Sequence, residues 1–600
     1  MTTTILAVRH LLRLALRSDP ARLARAAAMI AAGFLSTPLI ALCLKSLTTA
    51  AIQHQLGAAV RLALATAALL VFELMMNHFA HLSYFELGDL CEVELQNDLI
   101  SLTHGAGSLE QLDTPGYADT LALVREELPR TRASLEAVLQ TGGLALQMGL
   151  TTVLLGALNP WLLLLPLVGA VPVLAGNRAQ RLVDRAREEA APRIRLGRHL
   201  LETATTQASV KEIRLSGAEA VLIDRHRSDW AATSRALGRA QGRAALLRAA
   251  GQFAFAAAYG GAIYLVVQQA LHGGAGLGDV ILVIALAAQV SLQVATALGL
   301  LTILQDAGHT MRRIRTLRTL AATGTGPAST GTDPGPSDLP VVLTQGIRLE
   351  HVSFSYPDSD RRILDDVTLD IPAGTALAVV GENGAGKSTL LKLLCGLYRP
   401  TSGRILVDGA DLAAATPADW QRRVSTLFQD FARLELRLRD NTGIGDLDRI
   451  DDDRALHQAL EAAEAGPVLD RVSGGLDGLL GRGYGDGAEL SGGQWQKLGL
   501  ARTLLRRSPL LVALDEPASA LDATAEHALF ERFADLVADA RTETGAVTVL
   551  VSHRFSTVRM ADLIVVLERG RVSEAGTHAQ LAAADGLYAE LYRLQAKVYA

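Results

Sequence analysis

Nine consecutive residues, Gly381-Glu382-Asn383-Gly384-Ala385-Gly386-Lys387-Ser388-Thr389, concentrate groups that bind anions. The glycines let backbone N–H groups turn inward around a phosphate without a Cβ in the way. Lys387 is spaced to reach β- and γ-phosphates, and the Ser388 hydroxyl to ligate Mg²⁺. An apolar strand, Ala376–Val380, precedes the loop, and an apolar helical run, Leu390–Leu394, follows it. The start of that helix adds partial positive charge at the same place. A glycine-rich turn alone would say little; strand, loop and helix together predict a nucleotide-phosphate site.

Two further constellations lie downstream. The apolar run Leu510–Leu514 ends in Asp515-Glu516. Acids at the carboxyl end of a strand stand where an open α/β sheet binds ligands. Asp515 suits a Mg²⁺ position, and Glu516 suits a base that polarises a water in line with a γ-phosphate. Ser491-Gly492-Gly493-Gln494 precedes the helical run Trp495–Arg506. A hydroxyl and glycines at a helix start make a second anion site, although an ordinary N-cap would look the same.

The elements that must position these residues occupy only part of the chain. Six hundred residues suit about two to four domains. Mean hydropathy is +0.24 and 49% of residues are apolar, which points to membrane segments. The net charge of -5 argues against a nucleic-acid partner. Cys43, Cys91 and Cys395 match no disulfide or metal spacing and read as packing residues.

Apolar runs recur at Ala26–Leu44, Gly57–Ala80, Gly142–Leu158, Trp161–Ala175, Leu246–Leu271 and Leu277–Leu304. Each is read as a membrane span, with Asn159-Pro160 and His272–Gly276 as tight turns. Basic residues before the first span, and the arginine-rich segment Arg178–Ala245, place those parts in the cytoplasm. The polar segment His81–Leu139 then lies on the same side. Residues 321–340, rich in Gly, Pro, Ser and Thr, read as a flexible linker. From Val341 on, short β runs alternate with helical patterns. The expected architecture is an α-helical six-span transmembrane domain over 1–320, the linker, and an α/β domain over 341–600.

In these motifs the chain resembles the ATP-binding cassette (ABC) transporter family. The phosphate loop is similar to Walker A, LSGGQ to the signature and LLVALDEP to Walker B. Ser519-Ala520-Leu521-Asp522 is similar to the D-loop, Thr426–Asp430 to the Q-loop, and Val551-Ser552-His553 to the switch region. Spans, linker and cassette in that order look like a fused exporter-type half-transporter. The resemblance implies ATP and Mg²⁺ as ligands. It implies Tyr356 stacking on adenine, and Gln429 contacting Mg²⁺ or the attacking water. It also implies His553 on the γ-phosphate, and Asp522 beside the nucleotide. Ser491 and Gly493, with Gly492 and Gln494, would grip ATP held by a second subunit, so hydrolysis would need a dimer. Intact Glu516 and LSGGQ favour a homodimer over a heterodimer. The family also implies a multi-pass protein of the cell membrane with a cytoplasmic cassette. Contact helices to the cassettes are expected near Leu112–Val124 and Gly217–Arg227.

Substrate hints are thinner. Glu73, Asn77 and His81 recur every four residues and share a helix face. Gln289, Gln293 and Thr296 form a second stripe, and Gln140 and Gln147 a third. Such stripes line a cavity or pack helices together. SGGQWQKLGLAR, KEIRLSGAE and LEQLDTPGYADTL resemble exporters of ribosomally made peptides of the lanthipeptide type. No Cys/His peptidase domain precedes the first span, so leader cleavage is not expected. Export of lipids or hydrophobic drugs is the alternative. A soluble DNA-repair ATPase is disfavoured by the spans, and a gated channel would share the architecture.

Overall fold

The computed structural model describes residues 2–104, 109–110, 112–272, 276–323, 339–357, 359, 361–517 and 541–599. Contacts divide the chain into two compact units. The first holds Met1–Ile100 and Ala122–Thr316; the second holds Ser101–Leu121 and Leu317–Ala600. Residues 324–338 of the expected linker and 273–275 of the expected turn fall outside the described residues.

The first unit is helical. Asp19 caps the helix Pro20–Ile52 by accepting from the Ala21 and Arg22 N–H groups, and Pro20 sits where a missing N–H costs nothing. Long helices follow at Leu56–His104, Thr131–Leu158, Glu219–Leu271 and Leu277–Thr323. Among the described residues, five helices are long and apolar enough to cross a membrane. Large apolar side chains on them point outward: Leu64 is 66% exposed, Val153 66% and Phe253 78%. Water would penalise such a surface, whereas lipid accepts it.

The fourth expected span, Trp161–Ala175, takes a different form. It is divided among a 3₁₀ turn, Pro160–Leu163, a short helix, Leu164–Val168, and the long helix Ala170–Thr205. Pro160, Pro166 and Pro172 each remove an N–H from the ladder, which accounts for the interruption. Gly143 lets the first and third spans approach closely; a Cβ there would lie 2.7 Å from Ile30 and Phe34 atoms.

The second unit is α/β. One sheet runs β2-β1-β4-β5, with β1 Gly346–Ser355, β2 Arg362–Pro372, β4 Ser402–Val407 and β5 Ala410–Asp411. The other runs β10-β9-β3-β8-β7-β6. Its strands are β3 Ala376–Gly381, β6 Val424–Leu427, β7 Leu511–Asp515, β8 Val547–Val551, β9 Leu563–Glu568 and β10 Arg571–Gly576. β9, β3, β8, β7 and β6 are parallel, and β10 closes one edge antiparallel. Strands β7 and β8 are buried along their whole length, and both are apolar apart from Asp515 and Thr548. The segment Ser101–Leu121 packs with this unit: Leu109 joins its core, and its N–H donates to the Leu397 carbonyl at 3.0 Å.

Candidate functional site

Parallel strands deliver their carboxyl ends to one edge of a sheet. Here β3 runs into the phosphate loop, β6 toward Gln429, β7 into Asp515-Glu516, and β8 toward His553. Because β3, β8, β7 and β6 are neighbours in that order, residues far apart in sequence converge.

The loop has the backbone its glycines predict. Gly381, Gly384 and Gly386 have φ of 154°, 82° and 102°. A Cβ on Gly381 would lie 2.2 Å from the Leu567 carbonyl oxygen, so no side chain fits there. Glu382 and Asn383 are exposed on the loop, and Ala385 is buried beneath it. Lys387 opens the following helix, is buried, and donates to the Gly381 and Glu382 carbonyls at 2.8 and 2.9 Å. Burial pulls its pKa down, and the Glu516 and Asp515 carboxylates push back.

Asp515 is buried and hydrogen-bonded by the Ser388 side chain. Burial raises its pKa, the Ser388 bond lowers it, and nearby Glu516 raises it. Glu516 sits at φ 49°, in the left-handed region that side-chain-bearing residues rarely adopt. Its N–H donates to the Val551 carbonyl at 2.9 Å, which ties the turn after β7 to the end of β8. Both carboxylate oxygens are engaged: Gln429 Nε2 donates to Oε2 at 2.9 Å, and His553 Nε2 lies 2.6 Å from Oε1.

Tyr356 lies beside the loop, its hydroxyl 3.1 Å from the Thr389 hydroxyl. The segment Ser491-Gly492-Gly493-Gln494 is organised separately. Ser491 caps the helix Gly492–Leu505 through a reciprocal box: its Oγ accepts from the Gln494 N–H, and its own N–H donates to Gln494 Oε1. Ser491 is exposed, and among the described residues no hydrogen bond ties this segment to the phosphate loop. Asp522 lies outside the described residues.

One participant escaped sequence reasoning. Gln496, buried in that helix, donates from Nε2 to the Pro517 carbonyl at 2.7 Å and the Glu516 carbonyl at 3.3 Å. Its only signal in sequence is an amide among Trp495, Leu498 and Leu500.

Mg²⁺ prefers hard oxygen donors and keeps several waters. The Ser388 hydroxyl beside the Asp515 carboxylate, with the Gln429 amide near, fits that demand. Among the described residues, no cluster of three or more His, Cys, Asp or Glu side chains offers a competing metal cage.

The polar stripes of the first unit are partly spent within the helical unit, while Gln289 Nε2 and Gln293 Oε1 are buried without a hydrogen-bond partner among the described residues. Thr37 donates to Glu73 Oε1 at 3.0 Å, and Asn77 lies against Gly33. His81 is bonded to Tyr84, which donates to Glu136; Gln140 donates to the same carboxylate at 2.8 Å. Gln289 and Gln293 are 9% and 3% exposed, and Gln293 Nε2 donates to the Thr151 hydroxyl at 3.3 Å. Gln147 is buried on the same helix as Thr151.

Residues 364–519 match the family described as ABC transporter. The second unit carries that match. The whole chain resembles "Structure of a bacterial Atm1-family ABC exporter with ATP bound", with a TM-score of 0.73 and 23% identity over 97% of this chain and 98% of the other. That likeness gives the fold of both units: a helical membrane-type unit followed by the ABC cassette. An "ATP-dependent lipid A-core flippase" from Ralstonia nicotianae is 40% identical over 250 residues, 42% of this chain and 40% of that protein. The "Subtilin transport ATP-binding protein SpaT" of Bacillus subtilis is 35% identical over 242 residues, 40% of this chain and 38% of that protein. The chain thus spans about two fifths of the length of the curated relatives it matches.

Proposed function

We propose that this chain is half of an ATP-driven membrane exporter. Hydrolysis at paired ABC cassettes would switch the membrane unit between alternating-access states. The observation that carries this reading is the capture of both Glu516 oxygens by Gln429 and His553, beside Lys387, Ser388 and Asp515.

The roles follow from charge and reach. The loop N–H groups and Lys387 neutralise the phosphates. Ser388, Asp515 and Gln429 would hold Mg²⁺, which would supply positive charge to shield the transferring phosphoryl group. Glu516 polarises the attacking water, and His553 contacts the γ-phosphate. Tyr356 stacks on the adenine. The exposed Ser491-Gly492-Gly493-Gln494 segment of one copy grips the γ-phosphate held by the other, with Asp522 near that junction. A γ-phosphate filling both anion sites draws the cassettes together, and hydrolysis removes the attraction. Intact Glu516 and LSGGQ favour two identical copies in the cell membrane, with cassettes in the cytoplasm.

For the cargo, we read a ribosomally made peptide, supported by the local wording and the subtilin-transport relative. A lipid cargo is the second reading, supported by the 40% identity to a lipid A-core flippase. The test is ATPase activity in lipid nanodiscs, wild type against Glu516→Gln, across peptides and lipids. Stimulation by one class assigns the cargo. Unchanged turnover in Glu516→Gln would remove the base role, and full-rate hydrolysis by an isolated monomer would remove the shared site.

A further inference from the structure

The adenine side of the pocket is joined to the segment Ser101–Leu121 by a short chain of contacts inside the second unit. Tyr356 packs edge-on against Tyr398, with ring centroids 5.5 Å apart and planes at 86°. Phe354 packs edge-on to both rings, and Lys392 Nζ lies 5.9 Å from each tyrosine centroid. Tyr398 is 3% exposed, and its hydroxyl donates to the Asp113 carboxylate. The neighbouring backbone repeats the link. Leu109 N–H donates to the Leu397 carbonyl, and Arg399 N–H donates to Glu110 Oε1, both at 3.0 Å. Three successive residues, Leu397, Tyr398 and Arg399, therefore hold Leu109, Asp113 and Glu110. In the chain, that segment lies between the apolar helices Leu56–His104 and Thr131–Leu158.

The chemistry of the pair is one-sided. A buried phenol donating to an exposed carboxylate makes a charge-assisted bond, stronger than a neutral one. Burial and the Asp113 charge both raise the Tyr398 pKa, so the phenol keeps its proton. The ring itself is gripped on its edges by Tyr356 and Phe354. A base stacked on Tyr356 would bear on the ring that grips Tyr398, and so on the aim of its hydroxyl.

We propose that Tyr398 is a positioning residue through which a base stacked on Tyr356 sets the grip on Asp113 and its segment. This rests on the reading that Tyr356 takes the adenine of ATP. The segment then responds to the base as well as to the phosphates, and a nucleotide lacking a base would fill the loop without moving it.

Amide exchange of residues 109–121 in the full-length dimer, in a Glu516→Gln background, tests this. MgATP is expected to change exchange there by about tenfold or more, the scale of one hydrogen bond to a charged group. Inorganic triphosphate with Mg²⁺ should not. In Tyr398→Phe, MgATP should bind with unchanged affinity yet behave like triphosphate. Asp113→Ala should do the same, and Asp113→Asn, which keeps an acceptor, should restore part of the response. Asp113 is exposed, so its variants test the link even if Tyr398→Phe misfolds. A full base-dependent response in Tyr398→Phe and Asp113→Ala would overturn the proposal. Failure of the parent reading looks different: Tyr356→Ala would then leave ATP affinity unchanged.

Discussion

The carboxyl edge of the parallel sheet and the polar stripes of the helical unit use similar side chains in opposite ways. At the sheet edge, Lys387, Asp515, Glu516, Gln429 and His553 come from four strands and face one space. In the helical unit, Glu73 and Gln293 bond to a side chain of another helix, and Gln140 to Glu136 of its own. The difference lies in the backbone. Parallel strands present successive loops on a shared edge, so polar groups there can meet a ligand without leaving water. A helix within lipid presents its polar groups only sideways, where a partner helix satisfies them first.

The sharpest way to break the contrast is Glu516→Gln. Removing the proposed base should lower ATPase turnover by roughly 10²–10⁴-fold with ATP binding retained. Single-turnover hydrolysis beside a nucleotide-binding measurement checks it. A loss of binding instead would make Glu516 a packing residue, as on the helical side. Next is Gln496→Leu, which removes the amide holding the Glu516 and Pro517 carbonyls. Turnover should fall roughly 10–100-fold with ATP affinity unchanged, because the carboxylate is displaced rather than lost.

A smaller effect concerns acidity. Burial favours the neutral form of Asp515, so it protonates at higher pH than a free aspartate. A protonated carboxyl holds Mg²⁺ poorly. Apparent Mg²⁺ affinity should therefore fall as pH drops through that raised value, by about tenfold per unit below it. Titrating Mg²⁺-dependent ATP binding from neutral toward acid checks the sign, and Asp515→Asn should flatten the profile.

The smallest effect is expected from Gln293→Leu with Thr151→Val. Removing both partners of a buried hydrogen bond should change unfolding stability by only about 1 kcal/mol. Cargo-stimulated ATPase should persist. Its selective loss, with stability intact, would turn that stripe from helix packing into a cargo site.

Much of the site could be read from residue order. The glycine loop announced itself because φ of 82° and 102° at Gly384 and Gly386 favours glycine, and that demand is local. The apolar run Leu510–Leu514 likewise declared a buried strand. Gln496 and Tyr398 gave no such sign. Their roles depend on which carbonyl or carboxylate lies across the gap, 20 residues away for Gln496 and Glu516 and 285 for Tyr398 and Asp113. The interrupted fourth span was visible only as three prolines in an apolar run, which hydropathy counts without regard to their missing N–H groups.

By itself, the sequence determined the local chemistry: an anion loop, a strand-end acid pair, a capped helix start, and apolar stretches long enough for lipid. These follow from backbone sterics and transfer free energy, which act within a few residues. Only the tertiary structure decided that Gln429 and His553 close on Glu516, that Glu73 and Gln293 meet Thr37 and Thr151, and that Tyr398 holds Asp113. Those are hydrogen bonds between distant segments, and strand order and helix packing choose their partners.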